Sequence, residues 1–240
     1  MSGAVVHAIF DVIAWACAGL SLYWVTRRLG SRFPPSPAGD WNYIAVLVLG
    51  AGVGAVAFGS ANLWLSQQSG VARSIEGAIA GGILAVELYK RRAGITARTG
   101  ARFALPLAVG VAVGRIGCYL AGLDDFTYGT ATALPWGHDF GDGIARHPVQ
   151  VYESAAMAAF ALLYVVRARR NDRFVIENGF YLSVGYYGLQ RFLWEFIKPY
   201  GALIGPFTLF HILSFLIFLY AVVMIVTVPT PRARDDRAFA

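Results

Sequence analysis

Long apolar stretches separated by short polar connections dominate the pattern along this chain. Each stretch approaches the length of about 20 mostly apolar residues that a helix needs to cross a bilayer. The stretches run over residues 4–25, 41–65, 75–89, 103–123, 149–166, 179–197 and 207–228. The third is the shortest and contains Glu76 and Glu87. The pattern predicts an all-α polytopic membrane protein with about seven transmembrane helices.

The composition supports the membrane prediction and excludes two other classes. Hydrophobic residues make up 57% of the 240 residues and charged residues only 14%, whereas soluble domains carry about 25% charged residues. The net charge is +6, but the basic residues stand in short clusters between apolar runs. We therefore exclude a soluble globular protein and expect no nucleic-acid partner.

The basic clusters predict the orientation of the chain. Fifteen of its 20 basic residues fall after the first, third, fifth and seventh stretches, which is one side of a seven-span protein. Since cytoplasmic loops are enriched in lysine and arginine, that side faces the cytoplasm and the amino terminus lies outside. The chain then divides into a transmembrane domain over 1–228, with an outer loop at 123–148, and a basic cytoplasmic tail at 229–240.

Five basic residues depart from this sidedness: Arg73, Arg115, Arg146, Arg191 and Lys198. Two of them, Arg115 and Arg191, fall within predicted spans, near the outer ends. The other three lie at the outer face. A charge at membrane depth is costly unless it is paired or hydrated, so it marks a candidate site. An arginine fork matches a phosphate group bidentately. We expect an anionic-lipid headgroup site at the outer bilayer face.

Other polar residues have spacings that bring them to the same end of the helices. Arg191 and Glu195 are four residues apart, which allows them to pair across one helical turn. Gln150 and Glu153 are three residues apart and share one helical face. The sequence contains no cluster of metal ligands and no phosphate-binding glycine loop, so we expect no metal and no cofactor. Cys118 is interpreted as a core residue.

Four segments resemble, in order and spacing, the prolipoprotein diacylglyceryl transferase family. They are Gly114-Arg115-Ile116-Gly117, Pro135-Trp136-Gly137, Arg146-His147-Pro148-x-Gln150-x-Tyr152-Glu153 and Tyr187-Gly188-x-x-Arg191-x-x-x-Glu195. The resemblance implies transfer of a diacylglyceryl group from phosphatidylglycerol to the lipobox cysteine thiol of a prolipoprotein signal peptide. The product is a thioether, and glycerol phosphate leaves. It also implies a multi-pass protein of the bacterial inner membrane, with its site facing the outer leaflet.

The resemblance also assigns roles by position. Arg115 and Arg191 would hold the lipid phosphate and stabilise the charge that develops on the departing oxygen. Arg146 and His147 would shape the outer wall of the site, and Glu76 would be the base that activates the thiol. The implied substrate-binding residues are Gly114, Gly117, Asp124, Asp125, Tyr128, Gln150, Tyr152, Glu153, Glu195 and Lys198. Of these, Gln150, Tyr152 and Glu153 would orient Arg146 and His147, and Glu195 would position Arg191.

The chain departs from the family pattern at two places. Glu76 stands where the family usually has the histidine of a His-Gly-Gly-Leu stretch, and Cys118, Ala121 and Leu123 stand where it has asparagines and a glutamate. These departures leave an alternative function open. A non-catalytic or repurposed protein of the same fold, which binds or transports lipid, would keep the arginines and tolerate the loss of the base.

Overall fold

A computed structural model describes residues 3–33 and 40–227, so the predicted tail at 229–240 lies outside the described residues. The described residues form seven α-helices, one in each apolar stretch. These are α1 (Gly3–Leu29), α2 (Trp41–Leu65), α3 (Ile75–Arg92), α4 (Ala104–Ala121), α5 (Val149–Arg169), α6 (Arg173–Glu195) and α7 (Leu209–Val226). The prediction of an all-α membrane protein is confirmed.

Five of these helices, α1, α2, α4, α5 and α7, are long and apolar enough to cross a membrane by themselves. The other two, α3 and α6, fall short because charged and polar residues interrupt their apolar sequence, for example Glu76 and Glu87 in α3 and Asn178 and Gln190 in α6. The structure therefore supports a multi-pass protein, while the number of seven crossings and the orientation stay predictions.

Side-chain caps explain where two helices begin. α6 starts at Arg173, six residues before the predicted stretch, because the Asp172 side chain accepts a hydrogen bond from the backbone N–H of Val175. α7 starts after Thr208, whose hydroxyl accepts from the backbone N–H of His211 at 3.3 Å. The His211 ring nitrogen Nδ1 in turn accepts from the backbone N–H of Thr208 at 3.1 Å, which completes a capping box.

The helices pack as a central group flanked by two outer helices. α3 to α7 share a buried core that includes Ile79, Val111, Met157, Val184 and Ile217. α1 packs along α4, and α2 packs along α3. Both outer helices leave large apolar side chains exposed, as lipid-facing helices do. Examples are Val12, Trp15, Leu20, Trp41, Val53 and Trp64.

Four glycines bring α2 and α3 into backbone contact. Gly50 and Gly54 of α2 face Gly77 and Gly81 of α3, and a Cβ atom added at any of the four would overlap backbone atoms of the facing helix. Both helices thus use a small-xxx-small pattern, which permits close packing in a membrane. Because Gly77 follows Glu76, this contact fixes the part of α3 that carries Glu76.

The predicted outer loop contains a helical turn and a pair of short strands. α4 ends at Gly122, whose φ of 74° is a conformation that favours glycine. A 3-10 turn then covers Gly122–Asp125. Two short strands, β1 (His138–Asp139) and β2 (Ala145–Arg146), pair antiparallel within the loop. After α6, strands β3 (Ala202–Ile204) and β4 (Phe207–Thr208) form a second hairpin that leads into α7.

Candidate active site

Six charged side chains from α3, α4, α5, α6 and the segment after α6 meet inside the bundle, each with no more than 8% of its surface exposed. They are Glu76, Arg115, Glu153, Arg191, Glu195 and Lys198. We call this group the ion cluster. Its three carboxylates match its three cations in number, so each buried charge has a partner of opposite sign, which is the condition for tolerating charge in an interior.

Arg191 lies at the centre of the ion cluster. Its Nε atom is 3.1 Å from Oε2 of Glu76, and its Nη1 atom is 2.8 Å from Oε1 of Glu153. Its Nη2 atom is 2.8 Å from Oε2 of Glu195, so the pair predicted across one turn of α6 is present. All three nitrogens of the guanidinium group contact carboxylates. Arg191 therefore holds three acids from three helices in fixed positions.

Glu153 is the acid shared by all three cations. Its Oε2 atom contacts Nε of Arg115, and its Oε1 atom is 3.2 Å from Nζ of Lys198 as well as contacting Arg191. We expected Glu153 to orient Arg146 and His147, and the structure instead places it against these three cations. Removing this one carboxylate would therefore affect every cation in the cluster.

Lys198 ties the ion cluster to the loop that follows α4. Its Nζ atom donates to the backbone oxygen of Thr127 at 3.0 Å and contacts Glu153. Lys198 lies beyond the end of α6, and burial lowers the pKa of its ammonium group to about 8, with the positive charge of Arg191 acting in the same direction.

Hydroxyl groups of α7 and its cap complete the carboxylate contacts. The Ser214 hydroxyl donates to Oε1 of Glu76 at 2.7 Å, and the Thr208 hydroxyl donates to Oε1 of Glu195 at 2.5 Å. Both oxygens of Glu76 are therefore engaged, one by Ser214 and the other by Arg191. Thr208 and Ser214 were not among the residues predicted for the site. A hydroxyl residue before the last apolar run signals a helix cap, but no sequence signal connects it to Glu195.

Arg115 differs from Arg191 in how its donors are used. Its Nε atom contacts Glu153, and its Nη1 atom lies 3.8 Å from the Cys118 sulfur. Among the described residues, its guanidinium group pairs with one carboxylate, whereas that of Arg191 pairs with three. Arg115 is thus the arginine of the ion cluster that is better placed to contact a ligand.

A second polar group lies beside Arg115, where α1 meets the end of α4. The His7 ring atom Nε2 is 3.1 Å from Oδ1 of Asp125 and 3.7 Å from the sulfur of Cys118. The other ring nitrogen, Nδ1, is 3.2 Å from Oδ2 of Asp11, and the Thr127 hydroxyl donates to Oδ2 of Asp125 at 2.5 Å. The interpretation of Cys118 as a core residue was therefore incomplete, because its sulfur contacts both a histidine and an arginine.

The predicted site residue Arg146 belongs to the loop and not to the ion cluster. Its two terminal nitrogens donate to the two carboxylate oxygens of Asp142 at 2.7 and 2.8 Å, and its guanidinium carbon lies 5.0 Å from the centre of the Tyr128 ring. The hydrogen bonds from Arg146 hold the pKa of the Asp142 carboxyl below its usual value. Tyr128 thus serves here as a packing surface for Arg146.

His147 also lies apart from the ion cluster. Its ring atom Nδ1 is 3.5 Å from the Tyr152 hydroxyl oxygen, which also accepts a hydrogen bond from Nε1 of Trp136 at 2.8 Å. The Tyr152 ring packs against Trp194 of α6, with ring centres 5.3 Å apart. These contacts fasten the loop to α5 and α6, so Tyr152 does contact His147 as expected.

The remaining predicted site residues divide between packing and polar roles. Gly117 packs directly against Phe10 of α1, which leaves no room for a ligand there, and a Cβ added at Gly114 would only touch Ala14. Asp124 is exposed. Gln150 is fully buried, and its amide atoms have no hydrogen-bond partner among the described residues.

The fold and the site define a multi-pass helical membrane protein with interlocked arginines and carboxylates buried at one end of the helix bundle. The family model for prolipoprotein diacylglyceryl transferase matches residues 8–227. The chain therefore belongs to the prolipoprotein diacylglyceryl transferase family.

Curated relatives named phosphatidylglycerol–prolipoprotein diacylglyceryl transferase are similar over most of the chain. The relative from Geobacter sulfurreducens is 33% identical, with 87% of this chain and 86% of the relative covered. A relative from Nitratidesulfovibrio vulgaris (strain DP4) is 31% identical, with coverage of 78% and 75%. One from Bordetella avium is 29% identical, with coverage of 86% and 83%. No solved structure matches the chain significantly.

Proposed function

We propose that this chain transfers a diacylglyceryl group from phosphatidylglycerol to the lipobox cysteine thiol of prolipoproteins. Membership of the family and the names of its relatives support this reaction. The observation that carries it is the state of Arg115, a buried arginine that pairs with one carboxylate, Glu153, whereas Arg191 pairs with three. Such a guanidinium edge suits the phosphate of a lipid that the membrane already delivers.

The reaction needs stabilisation of a departing phosphate. The acceptor sulfur attacks the glyceryl carbon, the bond between that carbon and the phosphate oxygen breaks, and the oxygen keeps the electron pair as glycerol phosphate leaves. The thiol gives up its proton to a base or to water. Arg115 is fixed before the substrate arrives and lies in a poorly hydrated site, where a preorganised charge is most effective.

Arg191 and Glu76 take positioning roles in this proposal. Every nitrogen of Arg191 contacts a carboxylate, so Arg191 acts on the lipid through Glu153 and Arg115. Both oxygens of Glu76 already accept hydrogen bonds, from Arg191 and Ser214, which favours a positioning role for Glu76 over that of the base. Arg146 and His147 order the loop beside the site.

We place the site at the outer leaflet of the bacterial inner membrane, with the amino terminus outside and the carboxyl terminus in the cytoplasm. The basic clusters that follow alternate helices support this orientation through the positive-inside rule. The ion cluster belongs to the opposite helix ends, as in the start of α3 and the end of α6. A reporter enzyme that works only in the cytoplasm should therefore be active when it is fused to the carboxyl terminus.

Transfer of lipid to a lipobox peptide by the purified chain in mixed micelles of detergent and phosphatidylglycerol tests the proposal. Arg115→Lys should lower the transfer rate by roughly 100-fold or more, because a lysine keeps the charge but loses the planar fork. Arg173→Lys is the matched control, since its side chain is 90% exposed and lies at the other end of α6. Unchanged transfer by Arg115→Lys would contradict the assigned role.

The engagement of both Glu76 oxygens favours one alternative, a lipid-binding protein without transferase activity. The same assay separates the two functions. Saturable binding of phosphatidylglycerol with no modified peptide would support the alternative, whereas a thioether product detected by mass spectrometry would exclude it.

A further inference from the structure

We propose that His7, Cys118 and Asp125 form a zinc site whose open coordination position binds the acceptor thiol as a thiolate. The inference rests on the proposed transferase function and names how that reaction obtains its nucleophile. His7 and Cys118 are 111 positions apart in the chain. The site therefore exists only because α1 packs along the end of α4.

The spacing of the three ligand atoms fits tetrahedral zinc. Zinc bonds of about 2.0 Å to nitrogen or oxygen and about 2.3 Å to sulfur place neighbouring tetrahedral ligands about 3.3–3.6 Å apart. The observed separations are 3.1 Å between His7 Nε2 and Asp125 Oδ1, and 3.7 Å between His7 Nε2 and Cys118 Sγ. All three ligand atoms lie within 4.8 Å of one another. The two separations from His7 therefore match tetrahedral zinc, and the third pair of ligand atoms lies within 4.8 Å.

The surrounding contacts are those of a metal site with an organised outer shell. A zinc-bound histidine usually donates its other ring N–H to a carboxylate, which fixes the ring and its tautomer. Here Nδ1 of His7 is 3.2 Å from Oδ2 of Asp11. The Thr127 hydroxyl donates to Oδ2 of Asp125, which leaves Oδ1 directed at His7. Two of the three ligands are thus held in position by a further side chain.

The ligand types select the class of metal and its use. A mixed sulfur, nitrogen and oxygen set suits zinc, whereas magnesium and calcium prefer oxygen ligands alone. Three protein ligands leave a fourth tetrahedral position open, as in catalytic zinc sites. Within residues 3–33 and 40–227, this is the one group of three histidine, cysteine or acidic side chains with suitable spacing.

The position of Arg115 connects this site to the lipid. Its Nη1 atom is 3.8 Å from the Cys118 sulfur, while its Nε atom is held by Glu153. A thiolate at the open zinc position and a phosphate on Arg115 would therefore be neighbours. This arrangement brings the nucleophile and the leaving group together, which removes most of the entropic cost of their encounter.

The step balances without a redox partner. The acceptor thiol binds zinc and releases its proton to water, because a coordinating thiol is deprotonated. The sulfur then forms a bond to the glyceryl carbon, and the carbon–oxygen bond breaks with its electron pair going to glycerol phosphate. The thioether product has lost its negative charge, so it is a weaker ligand and leaves the metal.

Metal binding by the purified full chain in detergent is the first measurement. We expect about one zinc per chain, and replacement by cobalt should produce the near-ultraviolet absorption of a thiolate–metal bond. Cys118→Ser and Asp125→Asn should lose this absorption, while Cys17→Ser, the control at the other cysteine, should keep it. Asp11→Asn should weaken metal affinity by roughly 10- to 100-fold. Size-exclusion chromatography checks that each variant is folded.

Addition of a lipobox peptide to the cobalt protein is the second measurement. A peptide with its cysteine should change the visible cobalt spectrum, and the same peptide with serine should not. Absence of the thiolate absorption, its survival in Cys118→Ser, or an unchanged spectrum with the cysteine peptide would each overturn the inference.

Transfer activity measured on the same samples keeps the two proposals apart. Full transfer by metal-free protein would leave the proposed function standing and overturn the zinc site. Metal and thiol binding without any transfer would support the zinc site and contradict the proposed function.

Discussion

The two ends of α3 carry charged side chains that are paired in different ways. At its start, Glu76 joins the ion cluster, where it contacts Arg191 and Ser214, which lie 115 and 138 positions away in the chain. Near its end, Glu87 pairs with Lys90 within the same helix at 3.1 Å and accepts a hydrogen bond from the Tyr220 hydroxyl, also at 3.1 Å. Glu87 thus finds its charged partner within its own helix, whereas the ion cluster is assembled from five separate segments of the chain.

The difference teaches what the buried charges contribute. The pair near the end of α3 should cost less to break than the ion cluster, because water reaches one of its partners; the Glu87 side chain is 29% exposed, while that of Lys90 is 6% exposed. The ion cluster has no such access, and burying six charges stabilises the protein little or not at all compared with apolar residues. A cluster of this kind therefore fits the functional role proposed above better than a stabilising one, and the following variants measure the contrast.

The largest effect is expected from Glu153→Gln. The change leaves Arg115, Arg191 and Lys198 without their shared carboxylate, and breaking a buried ion pair costs about 3–5 kcal/mol. Thermal unfolding in detergent measures the loss, and lipid transfer should disappear. Glu177→Gln is the matched control, because Glu177 is 55% exposed and only 4.0 Å from Arg173. Equal unfolding temperatures for the two variants would contradict the described cluster.

Gly77→Ala tests whether close helix packing positions the ion cluster. The new methyl group would overlap the backbone of Gly54, and such overpacking costs about 1–3 kcal/mol. Because Glu76 precedes Gly77, transfer should fall as well. Gly19→Ala is the control, since a Cβ added there meets open space. A Gly77→Ala protein with wild-type stability and transfer would show that the α2–α3 contact is not needed.

Glu87→Gln should have a smaller effect, confined to stability. The amide keeps a hydrogen-bond acceptor for Tyr220 but removes the charge that faces Lys90, which costs about 1 kcal/mol for a partly exposed pair. Unfolding in detergent measures this loss, and the transfer rate should stay at the wild-type value. A transfer defect as large as that of Glu153→Gln would remove the proposed distinction between the two ends of α3.

The smallest effect is expected in the loop pair of Asp142 and Arg146. Hydrogen bonds from Arg146 lower the pKa of Asp142 below its ordinary value of about 4. The pair therefore contributes fully above that ordinary value, and its contribution is lost as the pH falls through the lower folded-state pKa. Hydrogen exchange of the loop should be faster in Asp142→Asn than in wild type at neutral pH, and the two should converge in acid.

The sequence predicted the features that depend on local spacing. Apolar runs predicted all seven helices, with ends that differ from the observed ones by up to six residues, and the four-residue spacing of Arg191 and Glu195 predicted a pair that the structure contains. The presence of Arg115 and Arg191 at one site also followed from their position near the same ends of two helices. In each case the relevant partners lie on one helix or at one end of the helix bundle.

The rest depended on how helices pack, which spacing along a chain does not determine. Glu153 was expected beside Arg146 and His147, its neighbours in sequence, but the first turns of α5 direct its carboxylate into the bundle. His7 was a lone histidine in an apolar stretch, and its contact with Cys118 and Asp125 exists only after α1 packs on α4. No pattern in α1 alone indicates a ligand.

The pair formed by Arg191 and Glu195 has a consequence for membrane insertion. Because the two charges lie on one helix, α6 can leave the insertion machinery as a nearly neutral unit. Glu153 on α5 has no such partner on its own helix and finds its cations on α4 and α6 and beyond α6. We expect α5 to stay outside the hydrocarbon core until α6 has been synthesised, so that the two helices insert together as a hairpin. The ion cluster would then set the order of assembly during synthesis.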